Sequence, residues 1–469
     1  MNGAHAAALL CCGLLATAAA VAAPPDDDVA LIPDEARQQQ APADATPSIP
    51  GQRIYLEAAF SAASPRGNPI VSQPPTPPDE WQARAFLDVR KEWRLGSRVG
   101  LTLSDRLNLR DEADISFPSH EDVINDLREV FATWHLMDRT YLDCGRINLK
   151  SGVALGFNPT DFFRTRAVVE PLSADPTVLR EDRLGTLMIR AQSLGRWGSL
   201  AVAFAPSAYA PTPIYGNAAL PSFNPALDRT NATNRFVAKD SFDLAENASS
   251  EVLVFRKGAE TLFGANLALV LGQKVTAYTE WAGGRRADLL VDALHYGHMT
   301  GTLPAGIGTL LSTDPAKRFL SELSVGASYT TERKVTFSVE FWLNQTGFSR
   351  SDWNNWFTLG ANRALSPQIR GALWYLRDYA LDQGEPIAAH SVFVRVNSVD
   401  TFVPKLEVTG FVDADLADRS GLAQLGADYY ISDHWTLGGL ITANLGARRS
   451  DFGSLSPAST FLVKVARYF

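Results

Sequence analysis

Phe319 to Asn344 carries the clearest pattern of apolar and polar positions in the chain. Leu323, Val325, Ala327 and Tyr329 share one parity; Glu322, Ser324, Gly326 and Ser328 share the other. After a short polar turn, Val335, Phe337, Val339, Phe341 and Leu343 alternate with Thr336, Ser338, Glu340, Trp342 and Asn344. A period of two is that of a strand with one apolar and one polar face. The spacing therefore predicts a hairpin.

The same pattern predicts strands at Arg53–Phe60, Trp81–Leu95, Arg98–Arg110, Asn125–Met137, Thr140–Lys150, Thr186–Gln192 and Ser199–Ala205. It continues at Ala259–Leu271, Lys274–Ala282, Asn355–Arg363, Gln368–Leu376, Ala389–Asn397 and Lys405–Ala414. Leu422–Tyr430, Trp435–Leu445 and Phe461–Phe469 complete the set. With the opening hairpin this gives about eighteen strands, an even number, as in single-chain bacterial barrels. Short links alternate with longer ones, the latter at Ser61–Glu80, Asp111–Ile124, Ser151–Gly185, Pro206–Gly258, Gly283–Arg318 and Gly446–Thr460. Short turns at one end and long loops at the other are expected of outer-membrane barrels and not of a propeller's regular blades. The expectation is an all-β, transmembrane antiparallel barrel over residues 51–469.

Composition narrows the alternatives. The net charge is -8 and charged residues make up 20% of the chain, with no basic stretch to suit nucleic acid. Beyond the N-terminus no apolar run is long enough for a transmembrane helix. Residues 1–22 read as a secretory signal: an Ala-rich apolar run ends at Ala20-Val21-Ala22, a small-x-small cleavage pattern. Residues 23–50, rich in Pro, Asp, Gln and Ala, read as a periplasmic leader without enough apolar surface to fold alone. Cleavage would remove Cys11 and Cys12 and leave Cys144 with no disulfide partner.

Two tryptophans fit a membrane span. Trp81 and Trp93 fall on one face of a single strand. At ~3.3 Å per residue and a tilt of about 40°, they stand roughly 30 Å apart along the barrel axis. Aromatic girdles bound an apolar band of about that height. The chain ends at Phe469, preceded at alternate positions by Phe461, Val463, Val465 and the departure Arg467. This end resembles the signal by which outer-membrane barrels are recognised by the barrel-assembly machinery, and Phe469 would carry it. A second segment holds Arg128-Glu129, Gly145-Arg146, Gly152 and Asn158-Pro159-Thr160-Asp161. It resembles the corresponding segment of large bacterial porins and of alginate-export barrels, although Ser151 stands where many of these have Trp. The resemblance implies an outer-membrane channel. The long segment after Lys150, with its Asn-Pro turn, either folds inward to narrow the pore or packs on the rim.

With the apolar faces in lipid, the polar faces must line the lumen. The early strands then offer Arg84, Arg90, Arg98, Arg106, Arg110, Arg146, Lys150 and Arg190. The later strands offer Glu280, Glu322, Glu340, Glu407 and Asp413. These charges either set a transverse field that selects small polar or anionic solutes, or pair with one another. Phe86, Tyr278, Trp342, Trp356, Phe393 and Phe411 share the inward set, where they either stack on a sugar or pack against loops. His120, His135, His295, His298, His390 and His434 lie in no recognisable nucleophile–base arrangement, and no Gly-x-Ser-x-Gly elbow is present. No enzyme, cofactor or metal site is expected. The readings that remain are a channel, an exporter of an anionic polysaccharide, and a structural or adhesive barrel.

Overall fold

The computed structural model describes residues 52–66, 80–112, 123–169, 173–196, 198–214, 224–303, 307–311 and 316–469. The expected signal over 1–22 and leader over 23–50 lie outside the described residues, as does His120.

Strands β1 to β5 are Arg53–Ser64, Trp81–Leu95, Val99–Glu112, Val123–Met137 and Thr140–Ile147. β6 to β9 are Thr186–Leu194, Gly198–Ala205, Arg235–Ala245 and Ala248–Lys257. β10 to β13 are Glu260–Leu271, Val275–Arg286, Arg318–Thr330 and Val335–Asn344. β14 to β18 are His390–Val399, Leu406–Asp415, Ser420–Ser432, Trp435–Leu445 and Ser459–Tyr468. All pair antiparallel in chain order within one 18-stranded sheet. β1 also pairs with β18, from Tyr55 opposite Tyr468 to Ser64 opposite Ser459. The sheet therefore closes and leaves no edge, which is the condition for crossing lipid with strands.

Exposure runs opposite to that of a water-soluble domain. In β13, Phe337 and Val339 are 47% and 53% exposed, while Ser338 and Glu340 are 2% and 0% exposed. The same reversal holds around the ring: Val325, Val394, Val412, Leu425, Leu437, Ile441 and Val463 are all exposed. Only an apolar solvent rewards such a surface, so the belt faces lipid. Trp81 and Trp93 both lie on it, and Phe60 stacks on Trp81 with ring centroids 6.3 Å apart. Arg467, the departure in the terminal strand, lies over the rings of Trp435 and Phe469 at 5.2 and 4.5 Å. An arginine at the rim of the belt holds its charge there by cation–π contact.

Connections at one end are short, as at 96–98, 138–139, 272–274 and 433–434. Those at the other end are mostly long and carry the α-helices of the described residues: α1 (Pro176–Glu181), α2 (Leu227–Thr230), α3 (Leu289–Met299), α4 (Ile307–Leu310), α5 (Arg350–Ala361) and α6 (Pro367–Gln383).

The strand count agrees with expectation, but its assignment differs in two places. Asn355–Arg363 and Gln368–Leu376 are not strands; they lie in or next to α5 and α6. Ser349 and Asp352 form a reciprocal capping box, Ser366 caps α6 ahead of Pro367, and Gly384 closes it at φ 67°. Trp353, Trp356, Phe357 and Gly360 are the buried set of α5, a helical spacing. Conversely Pro206–Gly258 is not one loop, since it contains β8 and β9. In β9 the inward residues Leu253 and Phe255 are as apolar as the outward Val252 and Val254, because the inner face packs against a loop. Alternation vanishes where both faces are dry. One pair missed and one pair added leave the number at eighteen.

Arg in place of Phe337 is expected to block assembly, at a cost of roughly 2–4 kcal/mol at mid-depth. Refolding into lipid vesicles, read by heat-dependent gel mobility, checks this; assembly equal to the parent's would remove Phe337 from the lipid face.

Candidate functional site

The described residues between Asn148 and Gly185 fold into the barrel. Its anchors are two carboxylates on the wall. Glu280 of β11 accepts the backbone N–H groups of Val153, Ala154 and Thr160 at 2.9, 3.1 and 2.8 Å, and the Thr160 hydroxyl at 2.7 Å. Glu340 of β13 accepts those of Leu155, Gly156 and Phe157 at 2.9, 3.2 and 2.9 Å. The Tyr278 hydroxyl and the Trp342 indole N–H also donate to Glu340. Both carboxylates are fully buried, and among the described residues neither forms a salt bridge. Six backbone dipoles therefore take the place of a counter-ion.

The loop's sequence fits this docking. Gly152 has φ 97°, and a Cβ there would stand 2.5 Å from the Glu280 carboxylate. Asn158 donates to the Ala154 carbonyl at 2.7 Å. Asp161 pairs with Arg183 at 2.6 Å, tying the outgoing half of the loop to the returning half. Arg146 closes the neck by donating to the Gly185 carbonyl at 2.9 Å. The Gly-Arg, Gly and Asn-Pro-x-Asp positions quoted from the sequence are thus the hinges and clasps of an inward loop.

The loop reaches the far wall. Asp175 pairs with Arg395 of β14 at 3.2 Å, and the Ala174 N–H donates to Gln424 of β16 at 2.8 Å. The loop leaves β5 and touches β14, half of the eighteen-stranded ring away. It thereby divides the lumen. On the β5–β11 side, Phe162 and Phe163 fill a dry sector with Met188, Val237, Leu253 and Phe255. Phe162 stacks on Phe255 with centroids 4.5 Å apart. The other sector, bounded by β15–β18 and β1–β4, is polar.

The early basic set borders that polar sector in large part and is heavily paired. Arg106 meets Asp88 at 2.7 Å and Asp182 at 2.8 Å, and lies 4.2 Å from the Phe86 ring centroid. Arg128, which sequence reasoning left out of the set, joins the same two carboxylates at 2.7 and 3.4 Å. Arg90 pairs with Glu129 at 2.8 Å, Lys150 with Glu181 at 2.5 Å, and Arg190 with Asp143 at 2.8 Å. Arg84 and Arg110 are buried cross-strand neighbours, Arg146 serves the loop's neck, and Arg98 is exposed beside the short turn. The late carboxylates do not form one acidic wall. Glu280 and Glu340 lie beneath the loop, and Glu322 is bound by Arg286 and, at 3.5 Å, by Arg164. Glu407 is held by Asn397 and Tyr430, both at 2.8 Å, and Asp413 is half-buried on β15. Of the inward aromatics, Trp342, Phe393 and Phe411 pack with Phe157 of the loop, while Trp356 is in the core of a helical cap.

That cap is built from α3, α5 and α6 around Trp353, Trp356, Phe357, Leu373, Trp374 and Leu376. Asp382 holds Arg166 of the crossing loop at 2.9 Å. Arg377, beside the rings of Trp353, Trp356 and Trp374, pairs with Asp451 of the loop before β18. Burial pushes the Asp451 carboxyl up to about 6, Arg377 pulls the other way, and Asp418 adds to the rise. His295 and His298 are on the exposed face of α3. Among the described residues no three His, Cys, Asp or Glu side chains are grouped to hold a metal.

No family model matches this chain, and no curated protein matches it. Among solved structures it is similar to OccK11 (OpdR) of Pseudomonas aeruginosa, with 11% identity over 89% of this chain and 95% of that one, at a TM-score of 0.49. OccAB2 of Acinetobacter baumannii gives 11% identity, 89% and 98% coverage and 0.47. A triple mutant of the Rhodopseudomonas blastica porin gives 10%, 89%, 99% and 0.40.

Two outcomes follow. In Glu340→Ala the amides of Leu155, Gly156 and Phe157 lose an acceptor worth about 1.5–3 kcal/mol per bond, so their hydrogen exchange should accelerate at least about tenfold. Unchanged protection would mean that Glu340 does not hold the loop. For Asp451 the folded value lies above the ordinary 3.8, so its contribution to cap stability is full below about 4 and is lost as pH rises through about 6. Cap tryptophan fluorescence should show a transition near pH 6 that moves upward in Arg377→Met; an unmoved midpoint would contradict the pairing.

Proposed function

We propose that the chain is an outer-membrane channel for small polar or anionic solutes, with its path through the polar sector beside the crossing loop. The observation that carries this reading is the loop itself. A barrel that served only as an anchor or adhesin would gain nothing from a segment stretched from β5 to β14 and pinned by buried carboxylates. A narrowed, charged passage is what selects solutes in pores. The exporter reading shares the barrel and the arginine-rich wall, but a polymer has to pass the crossing loop and the cap above it.

The route is bordered by Arg90 of β2 and Lys150 just after β5, and by Glu407, Asp428 and Lys464 on the late strands. The Lys464–Asp428 pair, at 3.1 Å, leaves the arginine-rich side as the more positive wall. Anions are therefore favoured, and the close pairing of Arg106 and Arg128 with Asp88 and Asp182 limits the preference to a moderate one.

Planar-bilayer recordings test the proposal. The purified barrel should give discrete conductance steps with an anion-favouring reversal potential in a salt gradient. Arg90→Glu with Lys150→Glu should move that potential toward cation preference. Absence of steps in a correctly folded barrel would overturn the channel reading, and an unmoved reversal potential would overturn the route.

A further inference from the structure

A partly open cavity lies on the dry-sector side of the crossing loop, at the long-loop end. Its volume is about 60 Å³, and it is bounded by the ends of β9–β12, by α3 and α6, and by the loop near Pro159–Thr165. That is several times the ~10–15 Å³ a single water needs.

Most charges around it are spoken for. Glu322 is bound by Arg286 and Arg164, Glu260 by Lys317 at 2.6 Å, and Glu385 sits 3.7 and 3.8 Å from Arg164 and Arg286. Four lining groups are not. Among the described residues the side chains of Lys257 and Asp292, both partly exposed, make no hydrogen bond or salt bridge; they attract each other only from beyond ion-pair distance, and both line the cavity. The Tyr379 hydroxyl, on a side chain only 6% exposed, likewise has no hydrogen-bond partner among the described residues. Gln383, also 6% exposed, makes only a 3.5 Å contact with Asp382. Tyr379 and Gln383 are nearly buried, and polar groups this deep are costly unless something completes their bonds.

The leftover set has two poles. Lys257 and the Tyr379 hydroxyl donate, and so suit an anionic group; Asp292 and the Gln383 carbonyl accept, and so suit a cationic one. A lone anion would meet Asp292 and a lone cation would meet Lys257. No carboxylate trio is present for a metal ion among the described residues. We propose that this cavity binds a small zwitterion, of the size of glycine, which bridges the cap helices α3 and α6 to the wall at β9. Burial beside Asp292 and Glu385 raises the Tyr379 phenol well above its ordinary value, so it remains a donor. Burial beside Glu260 pushes Asp292 up to about 6, which leaves it charged at neutral pH. The crossing loop separates this cavity from the polar sector, so the bound molecule is a brace for the cap and not the solute in transit.

Titration calorimetry on the folded barrel in detergent tests this, with glycine, β-alanine and taurine as zwitterions and acetate and methylamine as single-charge controls. At least one zwitterion should bind saturably, and both controls should bind about tenfold more weakly or less, as expected when one charged partner is missing. Lys257→Met and Asp292→Asn should each weaken it to a similar degree, and Tyr379→Phe by less. Barrel folding of each variant is checked by heat-dependent gel mobility. No saturable binding of any of the three zwitterions by the folded parent would overturn the proposal. So would acetate or methylamine binding as tightly as the zwitterions, or indifference to both charge substitutions. The readout is binding alone, so its failure leaves the channel proposal standing, and the converse holds.

Discussion

Everything inside the barrel depends on how two buried carboxylates are satisfied. Among the described residues Glu280 and Glu340 form no salt bridge; they are held by the N–H groups of Val153 to Phe157 and of Thr160. Neither side can do without the other. The loop backbone has no strand to pair with inside the lumen, and the carboxylates would be prohibitively costly to bury bare. Mutual satisfaction turns a long connection into a fixed partition. Apolar residues can then pack on one side of it and charges can line the other.

The cap is a second layer resting on the first. Its tryptophan core is self-contained, but it meets the partition through ion pairs such as Arg166–Asp382, and it meets the last loop through Arg377–Asp451. Packing makes the cap rigid, while charges fix its position. Ionic contacts respond to pH and salt more than apolar ones do. The cap is thus the part of the molecule most open to a change of conditions, and the barrel wall the least.

Much of the barrel was legible from the sequence because lipid and a polar lumen impose opposite demands on alternate residues. β13 is the clearest case, with Phe337 and Val339 outside and Ser338 and Glu340 inside. Legibility failed where the lumen is not wet. β9 faces Phe162 and Phe163 of the loop, so its inner face is apolar and the period of two is lost. Alternation over Asn355–Arg363 and Gln368–Leu376 suggests strands, but the capping signals at Ser349, Asp352, Ser366 and Gly384 bound helices there. What each residue of the expected inward set touches was not legible, and Trp356 of that set lies in the cap. Glu322 and Glu340 have the same sequence context, an acid amid small or apolar neighbours; one binds arginines and the other a loop backbone. The signal for the loop was present in Gly152 and in Asn158 to Asp161, yet a turn sequence does not say which way a loop folds.

Glu280 and Glu340 hold the partition, and in the proposed channel that partition narrows the path. The most direct measurement is the single-channel conductance of a Glu280→Gln, Glu340→Gln barrel beside the parent. Each glutamine keeps the shape but supplies a weaker, neutral acceptor and a donor that faces other donors. The account predicts a larger conductance with frequent fluctuations, as the loop leaves the wall. A steady conductance equal to the parent's, in a barrel shown to be folded, would contradict it.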